Sequence, residues 1–302
     1  MKCFVFSTAL LAAGLAAWLL GHINWNDAGM AFRALDMTII VQAIGLTALS
    51  YCGLAAYDVI AISSLTELPI ARSVAALTGA TAFGISNFLG FPMVTGMAVR
   101  VRMYEITREK LGPLLSVVGS GWVAFWLVSL AMSGAILIWR PETFLGSDNA
   151  AVVRIAGGGL CLCVIAALLW IDGGRSVTWR RTRLEFLSRR LTLWQMLAAV
   201  VDIVASGMVL YLFLPPDLAG DPALFMAVFV VAVGLGILSH IPGGLGSFEA
   251  TIIVGLNGLG RADLAASLLL YRLFRTVLPF IVAAIVLAGT EQMRQRRRVV
   301  HP

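Results

Sequence analysis

Apolar residues gather in eight long runs, near 4–21, 37–62, 73–98, 113–138, 152–171, 191–213, 223–258 and 265–288. Runs of helix length, rather than alternating segments of about ten residues, predict membrane-spanning helices and not the strands of a barrel. Most are long enough to cross ~30 Å of hydrocarbon at ~1.5 Å per residue. The run at 4–21 is long for a signal peptide and lacks a clear cleavage site, so it reads as the first span.

Two runs are interrupted. Residues 82–96 carry Gly84, Gly90, Pro92 and Gly96, and residues 237–249 carry Pro242, Gly243, Gly244 and Gly246. Glycine and proline at this density end a regular helix. Broken backbone survives at membrane depth only where protein or a polar cavity satisfies it, so each run is expected to fold as a hairpin of two short helices. The breaks also match each other. Ile85-Ser86-Asn87 aligns with Leu238-Ser239-His240, and Gly90 with Gly243, at an offset of 153 residues. Applied to the segment starts at 4, 37 and 113, that offset gives 157, 190 and 266, close to the second set of runs. The expectation is one transmembrane domain over 1–302. It holds repeat 1 at about 1–150, repeat 2 at about 151–290 and a basic tail over 291–302, each repeat with three spans and one broken hairpin.

Composition agrees with that fold class. Of 302 residues, 60% are hydrophobic and 13% charged, with a mean hydropathy of +0.92, which excludes an ordinary soluble domain. The net charge of +6 reads as a topology signal on loops facing an anionic leaflet, and no nucleic-acid partner is expected. With the N-terminus inside and each broken run returning to its own side, sixteen cations fall inside and four outside. The two repeats are then inverted, with 172–190 and both termini cytoplasmic and 214–222 facing outward. Cys3, Cys52, Cys161 and Cys163 contain no Cys-x-x-Cys pair, and only His22, His240 and His301 are present. Disulfides, metal sites and cofactors are therefore not expected.

Ionisable groups at membrane depth are candidates for function. Asp58, Asp202, Glu249, Arg272 and Arg275 all fall in apolar runs. They either neutralise one another or contact a substrate, and the readings overlap because a pair can be the resting state of a site. The Gly243, Gly244, Gly246 break precedes an expected helix near Ser247, whose free N–H groups would attract an anion; the alternative is a packed elbow. His240 beside it is either a hydrogen-bonded structural residue or a headgroup contact. Arg100, Arg102 and Tyr104 suit phosphate or anchor the inner interface equally well. Two arginines at i, i+2 diverge on a helix, so they need not share a ligand. No Walker loop or nucleophile–base pair is present.

Ser50-Tyr51…Tyr57-Asp58, Ile85-Ser86-Asn87-Phe88-Leu89-Gly90-Phe91 and Gly96…Arg100-Val101-Arg102-Met103-Tyr104 resemble the N-terminal membrane region of the lysylphosphatidylglycerol synthase/flippase family, the multiple peptide resistance factors. Asp202, Leu210-Tyr211, Ser239-His240-Ile241-Pro242-Gly243-Gly244-Leu245-Gly246-Ser247-Phe248-Glu249 and Tyr271-Arg272 resemble its second half. The resemblance covers about 38–290. It implies an inner-membrane protein that moves phosphatidylglycerol or an aminoacylated derivative between leaflets, with Asn87 among the headgroup residues. Full-length members also carry a cytoplasmic aminoacyltransferase domain, which this sequence lacks, so no enzyme activity is expected. A separate lipid-modifying enzyme and a homodimer remain open as partners. The competing classes are an accessory subunit of aminoacyl-phospholipid or glycolipid synthesis and a small-solute transporter.

Overall fold

The computed structural model describes residues 36–64, 68–90, 92–107, 110–141, 149–171, 176–179, 182–239 and 241–300. The expected first span at 4–21 and His240 lie outside the described residues.

The chain is a helical membrane protein. Its helices are α1 (Met37–Ile62), α2 (Arg72–Leu89), α3 (Pro92–Met103), α4 (Leu111–Trp139), α5 (Ala150–Trp170), α6 (Arg189–Phe213), α7 (Pro222–Leu238), α8 (Ser247–Gly255), α9 (Ala262–Arg272) and α10 (Leu278–Val300). A π-helical turn, Leu273–Val277, joins α9 to α10. Among the described residues, five helical stretches are long and apolar enough to cross a membrane: α1, α4, α5, α6 and the continuous Ala262–Gln295.

Both interrupted runs fold as the expected hairpins, α2–α3 and α7–α8. Pro92 opens α3, where its missing N–H breaks no helical bond. Pro222 opens α7 behind Asp221, whose side chain accepts from the Ala223 N–H at 2.9 Å. Shifted by 153 residues, α1 to α4 become 190–215, 225–242, 245–256 and 264–292. The observed helices cover 189–213, 222–238, 247–255 and 262–300.

One element departs from an all-α reading. Ser176–Trp179 and Thr182–Glu185 pair as an antiparallel ribbon between α5 and α6, within the loop read from its arginines as a solvated anchor. Alternating Ser-Val-Thr-Trp favours extended backbone, and the ribbon runs alongside α4.

Charged pairs mark the two ends of the bundle. Arg102, in the last turn of α3, and Glu105, just after it, pair with Glu291 and Arg294 of α10. At the other end Arg140 lies 3.9 Å from Asp221, and Arg261 bonds Asp217 and Asp263. Hydrogen bonds from Arg261 hold the Asp217 carboxyl below its ordinary range. The α2–α3 hairpin therefore opens from one end and α7–α8 from the other.

Their tips touch. A Cβ on Gly90 would lie 2.7 Å from Pro242 Cα and 3.3 Å from the Gly243 nitrogen. Both glycines have positive φ, 78° and 60°, which only glycine adopts at little cost.

Helix packing relies on small residues, because lipid tails are as apolar as leucine and give helices no hydrophobic reason to associate. Gly134 of α4 and Gly157 of α5 face each other so closely that a Cβ on either would lie under 3 Å from the other's carbonyl oxygen. At the α1–α6 contact, a Cβ on Gly53 would meet the Ala198 carbonyl oxygen at 2.7 Å. Gly53→Val is therefore expected to destabilise the protein by about 1–3 kcal/mol. Gly45→Ala on the same helix has open space within 4 Å and should be neutral or stabilising by up to about 1 kcal/mol. Thermal unfolding in detergent tests this; equal shifts for the two variants would show that the α1–α6 approach is not close.

Candidate functional site

Asp58, Arg100 and Tyr104 form one closed cluster. Arg100 Nε donates to Asp58 Oδ2 at 2.7 Å and Nη2 donates to Oδ1 at 2.6 Å, a fork-on-carboxylate pair. The Tyr104 hydroxyl donates to Asp58 Oδ2 at 2.7 Å, and the Arg100 guanidinium stacks 5.0 Å over Phe83. Asp58 is 1% exposed. Every strong donor is engaged, so the cluster ties α3 to α1 and presents nothing to a ligand. Arg102 turns away as its i, i+2 spacing predicts, and its fork meets Glu291 on α10.

The other predicted residues converge elsewhere. A cavity of about 400 Å³ lies where the two hairpin tips meet. Asn87 of the first tip, Gly243 and Gly244 of the second, Asp202 of α6 and Arg272 and Arg275 of the last span all line it. Most of the remaining wall is apolar, with Phe83, Trp122, Phe125 and Phe229 prominent. Gly246 and Glu249 sit behind the elbow, in contact with Arg272 through Glu249.

The expected pairing of Asp202 with Arg272 or Arg275 resolves to Arg275. Its Nη2 donates to Asp202 Oδ1 at 2.8 Å, and the Ser50 hydroxyl donates to the same oxygen. Arg275 also stacks 4.9 Å from the Tyr51 ring centre. Arg272 pairs with Glu249 instead: Nε donates to Oε1 at 2.7 Å, and Nη1 donates to the Gly243 carbonyl. Two buried guanidinium nitrogens, Arg272 Nη2 and Arg275 Nε, have no hydrogen-bond partner. Arg272 Nη2 is 2.6 Å from Glu249 Oε1, but the angle is wrong for a hydrogen bond.

Of the two readings of the glycine elbow, the geometry fits the packed one better. Its φ values are positive at Gly243, Gly244 and Gly246, and α8 begins at Ser247 as expected. Yet the Gly244 N–H donates to the Ile241 carbonyl, Leu245 N–H to the Pro242 carbonyl and Gly246 N–H to Glu249 Oε2. A Cβ on Gly244 would press to 3.0 Å of Gly236 on α7. The elbow is therefore packed at Gly244, three of its N–H groups already have acceptors, and the charged donors lining the cavity are Arg272 and Arg275. Gly244→Val would strain the backbone itself, so it does not probe ligand approach alone.

Sequence reasoning missed three contributors. Ser50 was visible only as part of a motif, without a partner to give it a role. Gln195, fully buried, donates to the Tyr57 carbonyl at 3.0 Å and the Ser120 hydroxyl at 3.1 Å; an amide inside an apolar run was the available signal. The π turn that carries Arg275 has no sequence signature beyond Pro279 just after it.

No family model matches this chain. It is 25% identical to the Synechocystis protein slr0712 over 298 residues, covering 95% of this chain and 90% of that one. It is 24% identical to the inner membrane protein YbhN of Escherichia coli over 285 residues, covering 91% and 87%. The motif resemblance is borne out. A phosphatidylglycerol lysyltransferase of Staphylococcus haemolyticus is 24% identical over 295 residues, which is 94% of this chain but 33% of that enzyme. The chain thus spans about a third of the lysyltransferase it matches.

A double-mutant cycle tests the pairing. Removing one partner of a buried pair costs about 3–5 kcal/mol, and removing both can be nearly neutral. Asp202→Asn with Arg275→Gln should recover much of the thermal stability lost by either alone. Asp202→Asn with Arg272→Gln should be additive within about 0.5 kcal/mol. The reverse pattern would reassign the partners.

Proposed function

We propose that the protein binds a phospholipid headgroup in this cavity and carries it between the leaflets of the bacterial inner membrane, with acyl chains left in the bilayer. The observation that carries the reading is the buried Arg275 Nε, which has no acceptor, beside Arg272 Nη2, whose contact with Glu249 Oε1 is an ion pair without hydrogen-bond alignment, at the meeting point of two broken helices. Unsatisfied charged donors at membrane depth are costly, and a phosphate oxygen supplies the missing acceptor. The matching helix bounds support reading the halves as inverted repeats, one hairpin entering from each face, with both termini cytoplasmic. In that arrangement rocking of one hairpin against the other would expose the cavity alternately. The relation to a phosphatidylglycerol lysyltransferase makes phosphatidylglycerol or an aminoacylated derivative the first ligands to try.

The same relation favours a second reading, an accessory membrane subunit that presents phosphatidylglycerol to a separate lipid-modifying enzyme. It requires binding without leaflet exchange.

Proteoliposomes holding fluorescent phosphatidylglycerol separate the two. Wild-type protein should speed dithionite-accessible exposure of inner-leaflet lipid over protein-free vesicles. Arg275→Lys keeps a charge beside Asp202 but loses the planar fork, and should slow exchange at least about tenfold. Exchange no faster than in empty vesicles would end the translocase reading.

A further inference from the structure

Among the described residues, two buried carboxylate–arginine pairs and one half-buried pair lie within the bundle, and only the half-buried pair is built to come apart. Asp58 is enclosed and takes both prongs of Arg100 plus a tyrosine hydroxyl. Asp202 is buried and shared between Ser50 and Arg275. Glu249 is different on two counts. Its side chain keeps 23% of its exposure. Its Oε2 accepts from the Gly246 N–H at 2.8 Å, a bond independent of the arginine. Its arginine bond, like that of Asp202, uses a single aligned N–H, here that of Nε, while Arg272 Nη2 sits 2.6 Å from the same oxygen without hydrogen-bond alignment. A carboxylate released from Arg272 would therefore still cap α8 through the Gly246 N–H and keep one hydrogen bond.

We propose, building on the lipid-binding reading above, that Glu249 is an internal competitor for the ligand: the phosphodiester of an amphiphile displaces it from Arg272. The incoming group bears one negative charge and two free oxygens, matching the Nη2 of Arg272 and the unpartnered Nε of Arg275. Arg275 is more than nine-tenths buried and lines the same cavity. The ligand is an amphiphile rather than free phosphate because Met93, Val94 and Ile241 line the cavity while staying 43%, 54% and 44% exposed. An apolar mouth admits a headgroup whose chains remain outside.

Displacement has a mechanical consequence. Arg272 also donates to the Gly243 carbonyl, and Gly243 packs against the Gly90 tip. An anion on Arg272 thus frees Glu249 at the start of α8 while holding the elbow through the same guanidinium. Ligand occupancy and the joint between the hairpins become linked, and the link acts only by differential affinity.

The test turns on the sign of one substitution. Glu249→Gln keeps an acceptor for the Gly246 N–H and removes the competing charge. Binding of short-chain phosphatidylglycerol to the purified chain in mild detergent is measured by calorimetry. Glu249→Gln should bind about tenfold more tightly than wild type, within the usual span of coupling between linked sites. Unchanged or weaker binding overturns the proposal, because Glu249 would then be only a cap or part of the ligand cradle. In an Arg272→Gln background the substitution should have no effect; tightening there would mark a diffuse charge effect and also overturn it. Inorganic phosphate should compete weakly, and competition equal to the lipid's would overturn the amphiphile assignment. Wild-type leaflet exchange is scored separately. Exchange without tightening in Glu249→Gln sinks the competitor and leaves the translocase; tightening without exchange does the reverse.

Discussion

The structure depends on one constraint: deep in hydrocarbon, no water completes a hydrogen bond. A chain that breaks two helices inside its bundle must supply partners for the broken backbone from its own atoms. It does so by bringing the breaks together. Gly90 and Gly243 adopt left-handed backbone at the two tips, and their lack of Cβ lets one tip rest against the other. Around that contact the carbonyl of Gly243 takes Arg272 and the Gly246 N–H takes Glu249. The cavity is a by-product of this geometry: two short hairpins meeting from opposite ends leave a space that no through-going helix fills.

The same constraint sorts the charges. Where a carboxylate and an arginine must stay fixed, the pair is bidentate and sealed, as with Asp58 and Arg100. There the pair fastens the short α3 to α1, which helical propensity and a twelve-residue length do not secure alone. Around the cavity the pairs are looser. Arg275 keeps Nε without an acceptor and Arg272 holds Nη2 in an unaligned contact with Glu249, and each is braced by an aromatic ring, Phe248 at 5.4 Å for Arg272 and Tyr51 at 4.9 Å for Arg275. Stacking fixes the plane of a guanidinium while leaving its edge for another partner.

Much of this was legible in the sequence, for identifiable reasons. The breaks could be read because Gly90, Pro92, Pro242 and Gly243 have few other uses inside apolar runs. The split of Arg100 from Arg102 followed from helical geometry, and Glu249's need for an arginine from its position beside an expected anion site. Other features were hidden. In water an apolar stripe marks the core; in a membrane the lipid face is equally apolar, so the cavity wall of Trp122 and Phe125 looks like any surface. Arg272 and Arg275 stand three residues apart and looked interchangeable as partners for Asp202. Only the π turn, which interrupts the helical phase between them, separates Glu249's partner from Asp202's. The elbow stayed open between a cradle and a packed turn because sequence shows glycines but not which N–H groups already have acceptors.

Placing the π turn there has an energetic logic. A continuous α-helix through 262–295 would satisfy its backbone most simply, and π turns are rare because their hydrogen bonds are poorer. The irregular turn begins directly after Arg272 and contains Arg275. It therefore sets the angle between two guanidiniums that share one cavity but hold different carboxylates. Arg275 leaves its buried Nε unmet, a penalty of at least about 1–3 kcal/mol. Pro279, which has no N–H to give, falls just after the turn and supplies a local reason for the irregularity. The turn thereby sends Arg272 to Glu249 and Arg275 to Asp202 while both stay on the wall of one cavity.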